Sequence, residues 1–282
     1  MSRLKTLLTI GGTDPTSGAG IAADLNVFRD FGYHGLSVPT LMIAQSSDHV
    51  HSLVPVEPSV FEAALDIAFE LGKPQAIKLG ALGTADNVRA VVAALSRFGQ
   101  EAPVVLDPVL ATTSGSSLVD GDFVPTLIQP LLPLCDVVTP NIPEAEQLTG
   151  MTIDDLEAAK VAGAKLVDAG AKTVLVKGGH LSGAPGDMLI SSQMVEFLAN
   201  ETQFGLDIHG TGCHLSSALA ALLAEGFSPA RAVRGARAYL QNCVEATATL
   251  EGEIRQGRGR PIIVHGSTTV QAADASRSIA TR

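Results

Sequence analysis

Five times along the 282-residue chain a short apolar run ends in a polar segment, and four of the five segments carry glycine or proline. LLTI runs into GGTDPTSGAG, TLMI into AQSSDH, VVL into DPVLATTSG, DVV into TPNIPEAE, and VLV into KGGH. Longer stretches with apolar residues at helical spacing separate these runs, so strand, crossover helix and strand repeat along the chain. Near-continuous apolar strands have both faces covered, which predicts an α/β fold in three layers: a mostly parallel central sheet with helices on both faces. In such a sheet the loops at the carboxyl ends of the strands gather on one edge, where ligands bind.

Strands are expected at 5–10 and 35–44, in AIKLG, in PVVLD closing at Asp107, in DVV and in TVLV. Helices are expected at 19–31, 58–71, 85–98, 122–134, 153–169, 213–225 and 228–248. No linker-like shift in composition and no repeat divides the chain, so residues 1–265 are expected to form a single domain. The remainder, 266–282, is small and polar and is expected to be a flexible tail.

The 29 acidic against 19 basic side chains leave a net charge of -10, with no stripe of Lys or Arg. That balance speaks against nucleic acid and against an anionic membrane as partners. An anionic ligand must then be held by local groups, such as helix N-termini and single lysines. No stretch of eighteen uncharged apolar residues occurs, and the first apolar run is too short for a signal segment. Cys135, Cys213 and Cys243 are odd in number and form no CxxC pair, which suggests neither a disulfide framework nor a zinc site. A reducing, cytoplasmic setting is expected.

Two glycine-rich helix starts stand out. GAGIAA at 18–23 matches the dinucleotide pattern G-x-G-x-x-A, but seven residues separate Ile10 from Gly18 and no acid closes the second strand. A nicotinamide enzyme is therefore disfavoured, and no G-x-x-x-x-G-K-[ST] loop is present. HGTGC at 209–213 opens an apolar helix whose first N–H groups can approach an anion. It can equally be a turn with Thr211 as cap and Cys213 as packing. A cysteine in a first helical turn, however, has its thiolate favoured by the helix dipole, unlike Cys135 and Cys243. A Cys213–His214 dyad is awkward, since consecutive helical residues point about a hundred degrees apart. His214 is expected to cap, pack or contact nucleotide phosphate.

In order, TIGGTDPTSGAGIAADL, TLMIAQS, IKLGALG, VVLDPVLATTSG, VVTPNIPEAEQLTG, VLVKGGH, HGTGCHLSSALAA and GRGRPIIVHG give the chain its resemblance to the ribokinase-like superfamily. Within it the chain resembles the hydroxymethylpyrimidine/phosphomethylpyrimidine kinases of thiamin biosynthesis, which are similar to a group of bacterial pyridoxine/pyridoxal kinases. The resemblance implies an ATP- and Mg2+-dependent kinase acting on a small vitamin precursor, and a homodimer. It implies that Gly210, Thr211 and Gly212 cradle the transferring phosphoryl group and that Cys213 takes the hydroxyl proton. Lys177, Thr211 and His209 would serve ATP. Asp107, Asn141 and Glu144 would help place Mg2+ through water, although NIPE also reads as an ordinary helix start with Asn as cap. Gly12, Ala19, Asp24, Gln45, Ala81 and Val109 would line the acceptor pocket, where the amide of Gln45 suits an aminopyrimidine edge. The chain departs from the family at His214, where threonine is usual, at Ala81, where methionine is usual, at Leu110 and in SSDH. The alternatives left open are a pyridoxal or pyridoxine kinase and a non-catalytic vitamin-binding relative.

Overall fold

Strand β1, Thr6–Gly11, sets the pattern of the molecule, because its alternate side chains enter two different cores. Leu8 and Ile10 face one core and Leu7 faces the other, while Thr9 on that second side is wholly buried. The computed structural model describes residues 4–46, 49–98, 101–110, 122–178, 185–200, 208–254, 260–263 and 265. The expected tail, 266–282, lies outside them.

The other strands are β2 (His34–Pro39), β3 (Leu41–Gln45), β4 (Val50–Pro55), β5 (Ile77–Leu79), β6 (Val104–Leu106), β7 (Val137–Val138), β8 (Thr173–Gly178), β9 (Gly186–Ser191) and β10 (Val195–Ala199). Eight of them form one sheet in the order β10-β9-β8-β7-β6-β5-β1-β2. From β8 to β2 the pairing is parallel, and β9 and β10 add an antiparallel edge. That edge was absent from the sequence-based expectation, whereas the mostly parallel sheet covered on both faces is present.

Helices α1 (Gly20–Asp30), α2 (Pro58–Gly72), α3 (Ala85–Arg97), α4 (Phe123–Thr126), α5 (Ile142–Thr149), α6 (Leu156–Asp168), α7 (Thr211–Ala224) and α8 (Pro229–Ile254) complete the layers. Residues of α2 to α6 join the core with Leu8, and residues of α1, α7 and α8 join the core with Leu7. The strands contribute to both in turn: Val104 and Leu106 to the first, Val105 to the second.

Three boundaries differ from expectation for local reasons. The run 35–44 divides at Thr40, which is buried and donates its N–H to Gly11 and its hydroxyl to the Ala81 carbonyl. Beyond it β3 and β4 pair antiparallel as a separate two-stranded flap, whose Leu41 and Ile43 pack with Ala81 and Val109. The expected helix at 122–134 keeps only α4; the backbone then widens through Leu127–Leu131 around Pro130 and tightens over Leu132–Leu134. The expected helix at 153–169 starts at Leu156, where the Asp155 carboxylate accepts from the Ala158 N–H.

Candidate active site

Because β1, β5, β6, β7 and β8 run parallel, the segments that follow them open on one edge of the sheet. The segment after β1 and the start of α7 meet there at close range. Gly210 has φ +84°, and a Cβ on it would overlap the Gly18 carbonyl oxygen. Gly20, at φ +62°, leaves the same kind of room beside the Gly12 carbonyl. Both positions require glycine.

The helices α2, α3, α5 and α6 each begin with a side-chain cap, from Glu57, Thr84, Asn141 and Asp155. Helices α1 and α7 begin at Ala19 and Gly210 with no side-chain cap. At α1 the first N–H groups are already engaged, Ala19 by Asp14 Oδ2 and Ile21 by the Gly12 carbonyl, whereas α7 starts with no side-chain cap and its first N–H groups form an anion-binding device. Thr211 is the first helical residue of α7 and not the cap entertained from sequence. Cys213 lies between the two helix starts, with the Gly20 N–H bonded to its sulfur.

Burial pushes the Cys213 thiol up to about 11, against the pull of Lys78 and with the push of Asp24 and Asp107. The expectation of a thiol acidified by the helix end is corrected in the unliganded site, where desolvation outweighs the dipole. Accordingly, alkylation of Cys213 by iodoacetamide should be slow at pH 7 and accelerate about tenfold per pH unit toward pH 10. A rate that levels off near pH 8 would contradict this.

On the other side of the α7 N-terminus, Lys177 near the end of β8 lies 3.0 Å from Asp107 Oδ1. A Cβ on Gly212 would sit 3.3 Å from Lys177 Nζ and 3.5 Å from Asp107 Oδ2, so cradle and lysine adjoin. Burial works against the charge of Lys177, but Asp107 and Glu144 outweigh it and hold the ammonium charged. Asp107 is buried too, yet Lys177 and Lys78 keep its carboxyl below the usual range. Burial raises Glu144 to about 7, with Lys177 opposing.

Asn141 caps α5: its Oδ1 accepts from the Glu144 N–H, and Glu144 Oε2 accepts from the Asn141 N–H, both at 2.8 Å. The ordinary reading of NIPE thus holds for Asn141, which orients Glu144. Among the described residues no three His, Cys, Asp or Glu side chains gather to hold a metal alone. The pair Asp107 and Glu144 suits Mg2+ nonetheless, since that ion is held through one or two carboxylates together with substrate phosphates and water.

Two expected ligand residues are engaged elsewhere. Asp24 is fully buried, with its oxygens taken by Thr9 at 2.5 Å, Ser217 at 2.7 Å and Lys78 at 2.9 Å. It is the counter-ion of a buried lysine beneath the site and does not face an open pocket, which corrects its assignment to the acceptor. His209 is buried, with Nε2 2.8 Å from Asp14 Oδ2 and its backbone N–H on the Pro261 carbonyl. This ties the glycine-rich segments together, since Asp14 also accepts from the N–H groups of Thr16 and Ala19, and it leaves His209 Nδ1 buried without a hydrogen-bond partner among the described residues.

Gly12 abuts Ile43 of the flap, and Gln45 continues the inward-facing alternation of Leu41 and Ile43 at half-burial. Gly12, Ala19, Gln45, Ala81 and Val109 thus fall around one edge of the site. Of the expected loops, 111–115, 179–180 and 47–48 lie outside the described residues.

Lys78, Asp14, Ser216 and Ser217 were missed from sequence. The signal for Lys78 was available: a lysine inside the wholly buried strand IKL demands a counter-ion. Lys78→Met should destabilise the fold by about 3–5 kcal/mol by stranding Asp24, and Lys78→Met with Asp24→Leu should recover most of it. Urea unfolding of both variants measures this, and an unchanged midpoint for the single variant would contradict it.

The fold and site define a small-molecule kinase of ribokinase-like fold. The family model described as phosphomethylpyrimidine kinase matches residues 14–258, and the chain belongs to that family. The hydroxymethylpyrimidine/phosphomethylpyrimidine kinase of Rhizobium meliloti (strain 1021) is 41% identical over 256 residues, covering 89% of this chain and 94% of the relative. The phosphomethylpyrimidine kinase of Clostridium difficile 630 superposes with TM-score 0.76 at 33% identity, covering 85% and 99% of the two chains. The pyridoxal kinase of Staphylococcus aureus in complex with AMP-PCP and pyridoxal superposes with TM-score 0.79 at 30% identity, covering 93% of each.

Proposed function

We propose that the chain transfers the γ-phosphoryl group of ATP to the hydroxymethyl oxygen of 4-amino-5-hydroxymethyl-2-methylpyrimidine, with the resulting monophosphate as a second acceptor. The observation that carries this reading is Cys213 in the uncapped first turn of α7, beside the start of α1, with Lys177 and two carboxylates alongside. Transfer forms a bond from the hydroxyl oxygen to the γ-phosphorus and breaks the bond to ADP, and Cys213 Sγ takes the hydroxyl proton. In a loose transition state the protein's work is positioning and charge stabilisation. The N–H groups of Gly210, Thr211 and Gly212 and the Lys177 ammonium meet the negative equatorial oxygens. Asp107 and Glu144, the latter oriented by Asn141, would hold Mg2+, which neutralises phosphate charge when bound.

Burial, with the push of Asp24 and Asp107, favours the neutral thiol at Cys213. Lys78, the Gly20 N–H and the α7 N-terminus are the groups that favour its thiolate when the substrate hydroxyl must lose a proton. The flap closes over the acceptor, with Gln45 offering a donor and an acceptor to the aminopyrimidine edge. The second reading, a pyridoxal or pyridoxine kinase, draws on the likeness to the pyridoxal kinase fold and on Ala81, whose small side chain widens the pocket where the family usually has methionine.

The setting we infer is the reducing cytoplasm, with all three cysteines free and no helix of the described residues long and apolar enough to cross a membrane. Residues 1–265 are taken as one kinase unit, and a homodimer is supported by the apolar stripe Val60, Ile67 and Leu71 exposed along α2. Incubation with ATP, Mg2+ and the hydroxymethylpyrimidine tests the reading by mass spectrometry of the products. The expected product is the phosphate ester on the hydroxymethyl oxygen, and unaltered acceptor would contradict it.

A further inference from the structure

The structure gives His214 two partners. Its Nδ1 lies 2.8 Å from the Gly210 carbonyl oxygen, and its Nε2 lies 2.8 Å from Nε2 of His265, the two rings near-coplanar and edge to edge. His265 extends the row, with Nδ1 2.9 Å from Asp30 Oδ2, the same oxygen that accepts from the Tyr239 hydroxyl at 2.6 Å. A row of hydrogen bonds thus runs from α8 and the end of α1, through the carboxyl-terminal segment, to the residue that begins α7.

The proton inventory follows from what each atom can do. A carbonyl oxygen only accepts, so His214 Nδ1 carries a proton. Burial pushes the His214 imidazole down to about 4, so the ring is neutral and its Nε2 is bare. His265 joins the row through both ring nitrogens, Nε2 toward His214 and Nδ1 toward the Asp30 carboxylate. The charged and titratable groups facing this pair are Asp30 on α1, Tyr239 with Cys243 behind it on α8, and Lys78 on β5.

The carbonyl at the end of the row has a particular partner. Gly210 C=O and Thr211 N–H belong to one planar trans peptide and point in opposite directions. Holding the carbonyl into the helix, where it also accepts from the His214 N–H at 3.1 Å, aims the Thr211 N–H out of the helix start. At Gly210 the backbone has the freedom of glycine, so an external anchor has something to fix.

We propose that His214 and His265 are positioning residues for phosphoryl transfer: His265 bridges Asp30 to His214, and His214 clamps the Gly210 carbonyl so that the Thr211 N–H faces the transferring group. The proposal rests on Gly210, Thr211 and Gly212 being the phosphate cradle. It touches no substrate atom and acts through the backbone.

The test combines nitrogen-15 NMR of the imidazoles with kinetics of His214→Leu and His214→Asn. At neutral pH the spectrum should show His214 with one proton, on Nδ1, the tautomer that donates to the Gly210 carbonyl. His214→Leu should lower kcat about tenfold with the acceptor KM changed less than about twofold, as expected when a charge-stabilising amide is misaimed. His214→Asn, whose amide N–H stands where the ring Nδ1–H does, should recover most of that loss. The opposite tautomer at His214, an unchanged kcat in His214→Leu, or equal losses in both variants would overturn the proposal. If the wild-type chain transferred no phosphoryl group, the reading of the cradle would fail on its own, and the NMR spectrum would still decide the hydrogen-bond row.

Discussion

Cys213→Ala should lower kcat by about 100-fold to 10,000-fold, the range for losing a positioned proton acceptor. ATP affinity should stay within about twofold of the wild type, because the backbone N–H groups of Gly210, Thr211 and Gly212 need no cysteine side chain. The site makes the separation sharp: the thiol sits at the α1 and α7 helix starts, while Lys177 and Asp107 occupy the opposite side of the cradle. Rapid-quench kinetics alongside calorimetric titration of ATP would read both quantities. Undiminished turnover would reduce Cys213 to a packing residue and leave the hydroxyl proton without a protein acceptor.

Lys177→Met should be comparably severe but should act on both quantities. The ammonium neutralises phosphate oxygens during transfer, and losing such a donor costs about 100-fold to 1,000-fold in rate. Unlike the cysteine, Lys177 also holds Asp107 below the usual carboxyl range and opposes the effect of burial on Glu144. Removing it leaves two buried carboxylates facing each other beside an incoming triphosphate, so ATP affinity should fall as well. Steady-state kinetics with varied ATP measures the combination, and a variant losing rate with full ATP affinity would contradict it.

The sheet was legible because both-face burial writes continuous apolar runs such as VVLD and TVLV, and the site was legible because every parallel strand delivers its following segment to one edge. Lys177, Asp107 and the HGTGC turn could be read that way, each being polar at the end of an apolar strand or at a glycine-rich helix start. The flap was not legible, since TLMIAQ continues the apolar run of β2 and the break depends on what Thr40 bonds across space. Nor was the edge strand pair: β10 is mostly exposed or half-buried, and β9, though buried from Gly186 to Ile190, shows only the short apolar run MLI. Asp24 was assigned to the acceptor pocket through the family resemblance, and its partner Lys78 lies on a strand distant in sequence. The acidity of Cys213 was misread because position in a helix is visible in sequence and depth of burial is not. His265 went unremarked because its partners, His214 and Asp30, come from separate helices.

The central claim is that this site phosphorylates a hydroxymethyl aminopyrimidine. Its most direct test is kcat/KM for ATP-dependent phosphorylation of hydroxymethylpyrimidine, its monophosphate, pyridoxal and pyridoxine, measured side by side with the wild-type chain. The account predicts the largest kcat/KM on hydroxymethylpyrimidine, with measurable turnover of its monophosphate. A larger value on pyridoxal or pyridoxine, with the pyrimidines left unphosphorylated, would contradict it.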